Sequence, residues 1–255
     1  MINGFELAVI TLLGLLFGSF LNVVAYRVPR HESIVHPGSY CTSCHHELRP
    51  WDLIPVLSWI ILRGRCRYCR APISIRYPML EIATSLLFLW SGLHTILPLQ
   101  RITWWVFWML LMAVVGTDLT SMKVPNVLSY SGAIIVFLLS GLSGIQTWKL
   151  AVTGALTCFA VLFLIFLLSR GNMGLGDAKL YVSIGAILGP GQGIESLIFA
   201  SFIAALIGIV LRFMKVLKPR QHIPFVPFIA GGVVITVLYG SQLWQSYQLL
   251  ILHVI

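Results

Sequence analysis

Gly174-Leu175-Gly176-Asp177-Ala178-Lys179 opens an apolar run that ends at Leu188, where Gly189-Pro190-Gly191 interrupts it. The eleven residues from Ala178 to Leu188 rise about 17 Å as a helix, against a hydrocarbon core of about 30 Å. Such a run crosses a bilayer only if the Gly-Pro-Gly turn is itself immersed or the membrane is thin there. Asp177 is therefore expected some ångströms below one membrane surface. The surrounding Gly171-Asn172-Met173-Gly174-Leu175-Gly176 would line a wet cavity, where irregular backbone is tolerated at depth. Glycine leaves room for another backbone to approach, so Gly174 and Gly176 are candidate substrate-binding positions.

The rest of the chain is equally apolar. Of its 255 residues, 58% are hydrophobic and 10% charged, and the mean hydropathy is +0.92. Soluble domains carry charge on about a quarter of their residues. Apolar stretches recur at 7–23, 79–99, 102–117, 127–145, 150–169, 178–194, 195–214 and 228–252, each near the roughly 20 residues of a spanning helix. The expected fold is all-α, a polytopic membrane helix bundle of about eight transmembrane helices. The first stretch lacks a basic flank, and its exit Asn22-Val23-Val24-Ala25-Tyr26 lacks a clear cleavage site, so it reads as a retained helix.

Fifteen of the seventeen Lys and Arg residues fall on one side of this topology. Arg27, Arg30, Arg49, Arg63, Arg65, Arg67, Arg70 and Arg76 crowd the first connection. Lys123, Arg170, Lys179, Arg212, Lys215, Lys218 and Arg220 fall in later loops of the same side, leaving Arg101 and Lys149 opposite. The positive-inside bias makes the 27–78 loop cytoplasmic and places both termini outside. Three segments follow: a first transmembrane helix over 1–26, a cytoplasmic four-cysteine loop over 27–78, and a transmembrane core over 79–255 carrying Asp118 and Asp177. The net charge of +9 is explained by topology without nucleic acid, and a basic inner face also suits anionic membrane lipid.

Cys41-Thr42-Ser43-Cys44 and Cys66-Arg67-Tyr68-Cys69 are two Cys-x2-Cys knuckles with 21 residues between them. A reducing cytoplasm disfavours disulfides, and four thiolates at this spacing suit tetrahedral zinc in a small zinc-ribbon-like loop. Cys41, Cys44, Cys66 and Cys69 are the candidate ligands; His45 and His46 are possible competitors. Four thiolates close the site to water, so the metal would be structural. Cys158 reads as a small packing residue within a span.

The chemistry then falls to the carboxylates. Only eight acidic residues occur in the chain, and carboxylates beside hydrocarbon are costly, so Asp118 and Asp177 at span ends suggest work. On the derived topology both lie on the cytoplasmic side. Two such groups brought together share a proton, one activating water while the other polarises a carbonyl or protonates a leaving amine. That is the chemistry of aspartic proteolysis.

The Gly-x-Gly-Asp run with a second upstream aspartate resembles the intramembrane aspartyl proteases, and nearly the whole chain resembles the bacterial type IV prepilin peptidases. The resemblance rests on Phe17-Gly18-Ser19-Phe20-Leu21-Asn22, Tyr26-Arg27-Val28-Pro29, the four cysteines, Ile75-Arg76-Tyr77-Pro78 with Glu81, the two aspartates, and Ile223-Pro224-Phe225-Val226-Pro227-Phe228. It implies a peptidase in the cell inner (plasma) membrane that removes the basic leader of prepilins or pseudopilins after a glycine at the cytoplasmic face. Asp118 and Asp177 would be its catalytic pair. It also implies N-methylation of the new terminus with S-adenosylmethionine, for which the chain shows no glycine-rich cofactor fingerprint. Val124-Pro125-Asn126 stands where the family often has Leu-Pro-Asp, and resembles the pilus and competence peptidases of Gram-positive bacteria.

Other residues have plainer readings. Glu81 suits either a dipole-compensated structural place or a catalytic one. Asp52 and Glu47 are expected to pair with the arginines around them, and Lys179 to anchor at the inner surface. Trp104, Trp105 and Trp108 read as an outer interfacial belt, while Glu6 and Glu195 read as outer-side interfacial carboxylates. Pro224 and Pro227 either shape a groove or start the last helix. The rival functions are a proton- or cation-coupled transporter, a presenilin-like protease and a non-catalytic pilus scaffold. The first is disfavoured because neither aspartate lies near the midplane. The second lacks the zinc ribbon, and the third leaves both aspartates idle.

Overall fold

A computed structural model describes residues 3–169, 174–215 and 223–252, with side chains beyond Gly240 only at Gln242. Arg170, Lys218 and Arg220, counted above among the inner cations, and Gly171, Asn172 and Met173 of the expected cavity lie outside the described residues. The protein divides into two compact units, Met1–Leu128 and Ser129–Ile255.

The first unit is built on α1 (Gly4–Arg27). Asn3 caps it: its side chain accepts from the Glu6 N–H at 2.8 Å, and Glu6 Oε2 accepts from the Asn3 N–H at 3.2 Å. Glu6 thus closes a capping box. The buried residues Ile10, Gly14, Gly18, Leu21 and Ala25 fall on one helical face. After the short helix α2 (Leu57–Ile61) comes α3 (Arg76–His94), which Gly14 and Gly18 let that face meet backbone to backbone. A Cβ at Gly18 would stand 2.6 Å from Glu81 Cα, the close approach that a small-xxx-small spacing permits. Helix α4 (Pro98–Ser121) packs on both α1 and α3. The Thr120 hydroxyl donates to the Ala25 carbonyl at 3.0 Å.

The tryptophans depart from the belt expected of them. Trp108 is wholly buried, Trp105 stacks on Phe88 with centroids 5.0 Å apart, and Trp90 meets Trp104 and Trp108 edge-on. Aromatic faces that find each other between two helices gain packing that an interfacial position does not offer.

The second unit contains α5 (Asn126–Leu142, whose first residues belong to the first unit), α6 (Trp148–Leu168), α7 (Leu175–Phe213) and α8 (Val226–Leu252). As one rod, the 39 residues of α7 would reach about 58 Å. Instead Gly189, at φ 77° and ψ 178°, reverses the chain, a conformation essentially reserved for glycine. Ser196 hydrogen-bonds Tyr181 at 3.4 Å, although fifteen residues along a straight helix would part them by about 22 Å. Two arms, 175–188 and 190–213, therefore form a hairpin. The sequence places the boundary between these spans at 194/195; the structure moves it to Gly189-Pro190.

The turn leaves carbonyls to satisfy. Pro190 has no N–H for the Ala186 carbonyl, and that oxygen accepts from the Ser140 hydroxyl at 3.0 Å. The Ile187 carbonyl accepts from Gln146 Nε2 at 3.3 Å. Helix α6 packs into the hairpin through glycine: a Cβ on Gly154 would run into the Gly185 carbonyl oxygen and lie 2.8 Å from Gly189 Cα. Backbone atoms cannot yield as a flexible side chain can. Gly154→Ala is expected to destabilise the detergent-solubilised protein by about 3 kcal/mol or more, which thermal unfolding measures; an unchanged midpoint would refute this packing.

Four segments, Gly4–Arg30, Pro98–Ser121, Trp148–Leu168 and Leu175–Phe213, are long and apolar enough to cross a membrane, and Asn126–Leu142 and Val226–Gly240 are shorter apolar helices. Helix α3 is more polar, burying Glu81, Thr84, Ser85 and Ser91 against its neighbours. With α7 taken as two arms, the long helical segments among the described residues follow the eight apolar stretches in order.

Candidate metal centre and carboxylate site

Each Cys-x2-Cys turn is closed by an isolated antiparallel bridge, Tyr40 with Glu47 and Arg65 with Pro72. The two have the same local build. The Cys41 N–H donates to the His46 carbonyl at 3.0 Å and the Cys66 N–H to the Ala71 carbonyl at 2.9 Å. The residue after each second cysteine, His45 or Arg70, takes positive φ (55° and 62°). All four sulfurs lie within 4.8 Å of one another, with Cys41 Sγ 3.8 Å from Cys69 Sγ. A tetrahedron of Zn–S bonds near 2.3 Å has edges of about 3.8 Å, so the thiol set fits a tetrahedral metal.

The thiols are free and electrostatically unequal. Burial pushes Cys41 up, but the N–H groups of Cys44 and Ser43 outweigh it and bring the thiol down to about 7. At Cys69 a hydrogen bond at the Ala71 backbone favours the thiolate, yet desolvation and the other three sulfurs carry it up to about 11. Sulfurs this close cannot all ionise without a cation among them. The histidines face elsewhere: His46 packs on Tyr68 with centroids 3.7 Å apart, and His45 stacks on Tyr40. Neither joins the sulfur cluster.

Two charged residues tie the loop to its helices, and a third pairs within the loop. Arg27, 4% exposed, donates to the carbonyls of Ser33, Pro37 and Gly38 at 2.8 to 3.0 Å. Asp52 pairs with Arg67 at 2.6 Å, as its surroundings suggest. Glu81, 7% exposed, accepts from the Val56 N–H at 2.7 Å. Val56 was not legible as a functional position, because nothing in a sequence marks a backbone N–H as the partner of a carboxylate 25 residues away.

Asp118 lies in the last turn of α4 and is 6% exposed; Met122, left-handed at φ 51°, ends the helix by donating to the Asp118 carbonyl at 2.9 Å. Arg76 Nη1 donates to the neighbouring Leu119 carbonyl at 2.6 Å, a cation at a helix C-terminus. Asp177 lies in the first turn of α7 and is 8% exposed. Gly174 is the N-cap residue at φ −71°, so no backbone strain demands glycine there. A Cβ at that position would meet Asp177 Oδ2 at 3.7 Å and the Gly176 nitrogen at 3.9 Å, both ordinary contacts. Gly176 follows, half-buried. Lys179 places its ammonium 5.2 Å from the centre of the Tyr130 ring, a cation–π partner that the sequence reading does not include.

Apolar helices of spanning length and a four-thiol cluster able to hold a metal define the class as an integral membrane protein with a metal-binding loop. Comparison with known proteins makes that specific. Residues 12–95 match the Bacterial Peptidase A24 N-terminal domain, and residues 104–209 match the Type IV leader peptidase family. The chain is 34% identical over 247 residues to a prepilin leader peptidase/N-methyltransferase of Bacillus subtilis, covering 94% of this chain and 97% of that protein. It is 31% identical to proteins of the same name from Burkholderia pseudomallei and Aeromonas hydrophila, over 95% and 94% of this chain and 88% and 93% of theirs. No solved structure matches the chain. The protein belongs to the type IV leader peptidase family.

Proposed function

We propose that the protein is a multi-pass enzyme of the inner membrane that cuts the basic leader from prepilins or pseudopilins at the cytoplasmic face and then methylates the new N-terminus. The observation that carries this reading is the burial of Asp118 and Asp177, 6% and 8% exposed, at the ends of apolar helices in a chain of this family. Acting as a pair, they need neither nucleophile nor metal. Asp177, in a first turn whose N–H groups complement an anion, acts as the base that takes a proton from water. Asp118 carries the proton that is delivered to the leaving amine. Gly174 and Gly176 leave the extended junction of the substrate room beside Asp177.

Zinc on Cys41, Cys44, Cys66 and Cys69 has a structural role. When bound, S-adenosylmethionine would supply an electrophilic methyl on a sulfonium for the free amine that the cut leaves. Membrane lipid holds the apolar half of the prepilin so that its junction lies at the depth of the aspartates; nucleic acid has no part in the reading.

The test is to incubate the purified protein in membranes with a prepilin, with and without S-adenosylmethionine, and to weigh the products. Cleavage after the glycine is expected in both reactions, with one added methyl only when the donor is present. Replacing that glycine in the substrate with a bulky residue should block the cut. Neutralising one leader lysine should only weaken it, by about 1 kcal/mol. An intact prepilin in both reactions would refute the peptidase reading.

A further inference from the structure

Within the first unit, a cavity of about 590 Å³ lies between α1, the start of α3 and the two knuckles, and neither aspartate lines it. Five aromatic side chains, Phe20, Tyr26, Tyr40, Trp59 and Tyr77, and two carboxylates, Asp52 and Glu81, contribute to its wall. Asp52 is neutralised by Arg67. Arg27, the cation that lines the cavity, is committed to three carbonyls. Glu81 is different. Its partners among the described residues are neutral donors, the Val56 N–H at 2.7 Å and the Ser19 hydroxyl.

The backbone bends to make that arrangement. Val56 adopts φ 61° and ψ −50°, and the Leu57 N–H closes back on the Pro55 carbonyl at 2.5 Å. This is a γ-turn of the rare positive-φ kind, centred on a β-branched residue for which such φ is an outlier. Strain of this sort persists where surrounding structure enforces it, and it collects at ligand sites. Here it aims one N–H at one carboxylate.

A buried carboxylate with no cation of its own, in a cavity walled by aromatic faces, suits a ligand that combines positive charge with a flat ring. S-adenosylmethionine has both, in its sulfonium and its adenine, and the volume lies in the range of small-molecule sites. We infer that this cavity is the methyl-donor site, with Glu81 opposite the sulfonium and the aromatic residues around the nucleoside. The inference rests on the methyl-transfer half of the proposed function. Cys41 and Cys66 also line the cavity, so the metal knuckles form part of the wall against which the donor is held.

Binding to the full-length, zinc-loaded protein in detergent tests this without any turnover. S-adenosylmethionine and the uncharged S-adenosylhomocysteine are titrated calorimetrically into the unmodified protein and into Glu81→Gln. Gln keeps an acceptor for the Val56 N–H but removes the charge. The variant is expected to lose about tenfold in affinity for S-adenosylmethionine and much less for the thioether. In parallel, photolabelling of the unmodified protein with radiolabelled S-adenosylmethionine should mark peptides within 16–81, the range of the lining.

Label confined to other parts of the chain would overturn the proposal, even if the variant fails to fold. Equal weakening of both ligands would overturn the charge-pairing role of Glu81. If the unmodified protein cuts prepilin yet binds no S-adenosylmethionine, the cavity assignment falls together with methyl transfer, and the peptidase reading stands.

Discussion

Asp118→Asn and Asp177→Asn are each expected to lower leader cleavage by about 10³-fold or more, with the protein still inserted in the membrane. Asparagine matches aspartate in shape and still offers an oxygen to hydrogen-bond donors, so the helix ends around both positions should survive the change. What it cannot do is exchange a proton. If Asp177 takes the proton of the attacking water and Asp118 supplies one to the leaving amine, each step fails alone, and the double variant should be scarcely worse than either single one. Cleavage of a prepilin by the purified variants, beside their thermal unfolding, separates loss of chemistry from loss of fold. Near-normal cutting by either variant would refute the pair.

Removal of metal should have the second large effect. The segment between α1 and α3 buries very little: among its apolar side chains, Trp51, Ile60 and Ile61 are 62%, 57% and 73% exposed. A segment without a core must be held by something else, and binding of structural zinc to such sites is worth on the order of 10 kcal/mol. The purified protein is expected to carry about one zinc per chain. A strong chelator, or Cys66→Ser at the buried thiol, should open the loop to trypsin at Arg63, Arg65 and Arg70. Elemental analysis and a timed digest measure both. A metal-free protein with a resistant loop would contradict the assignment.

Much of this is legible in the sequence alone. Apolar stretches located the helices because membrane crossing constrains length and polarity along the chain itself. The Cys-x2-Cys pairs announced the sulfur cluster because each knuckle is a turn of a few residues, set by local backbone geometry. Asp118 and Asp177 stood out because so few acidic residues occur in so apolar a chain. Even Gly189-Pro190-Gly191 signalled a break, since proline removes a donor and glycine admits positive φ.

What lay beyond the sequence depended on residues far apart in it. The Gly-Pro break could have been a kink inside one span; only the Ser196–Tyr181 contact and the glycine packing of Gly154 on Gly185 identify a hairpin. The tryptophans could have faced lipid, and it was α3 that drew them into an aromatic cluster. Glu81 could have been structural or chemical on its own helix, and its setting came from a strained turn at Val56. Periodicity, composition and short motifs report what a segment must do with its own backbone and its own solvent. Which distant group meets a buried carboxylate or an orphaned carbonyl is decided only when helices pack, because that pairing is selected by the cost of leaving the group unsatisfied, and the partner has no fixed distance along the chain.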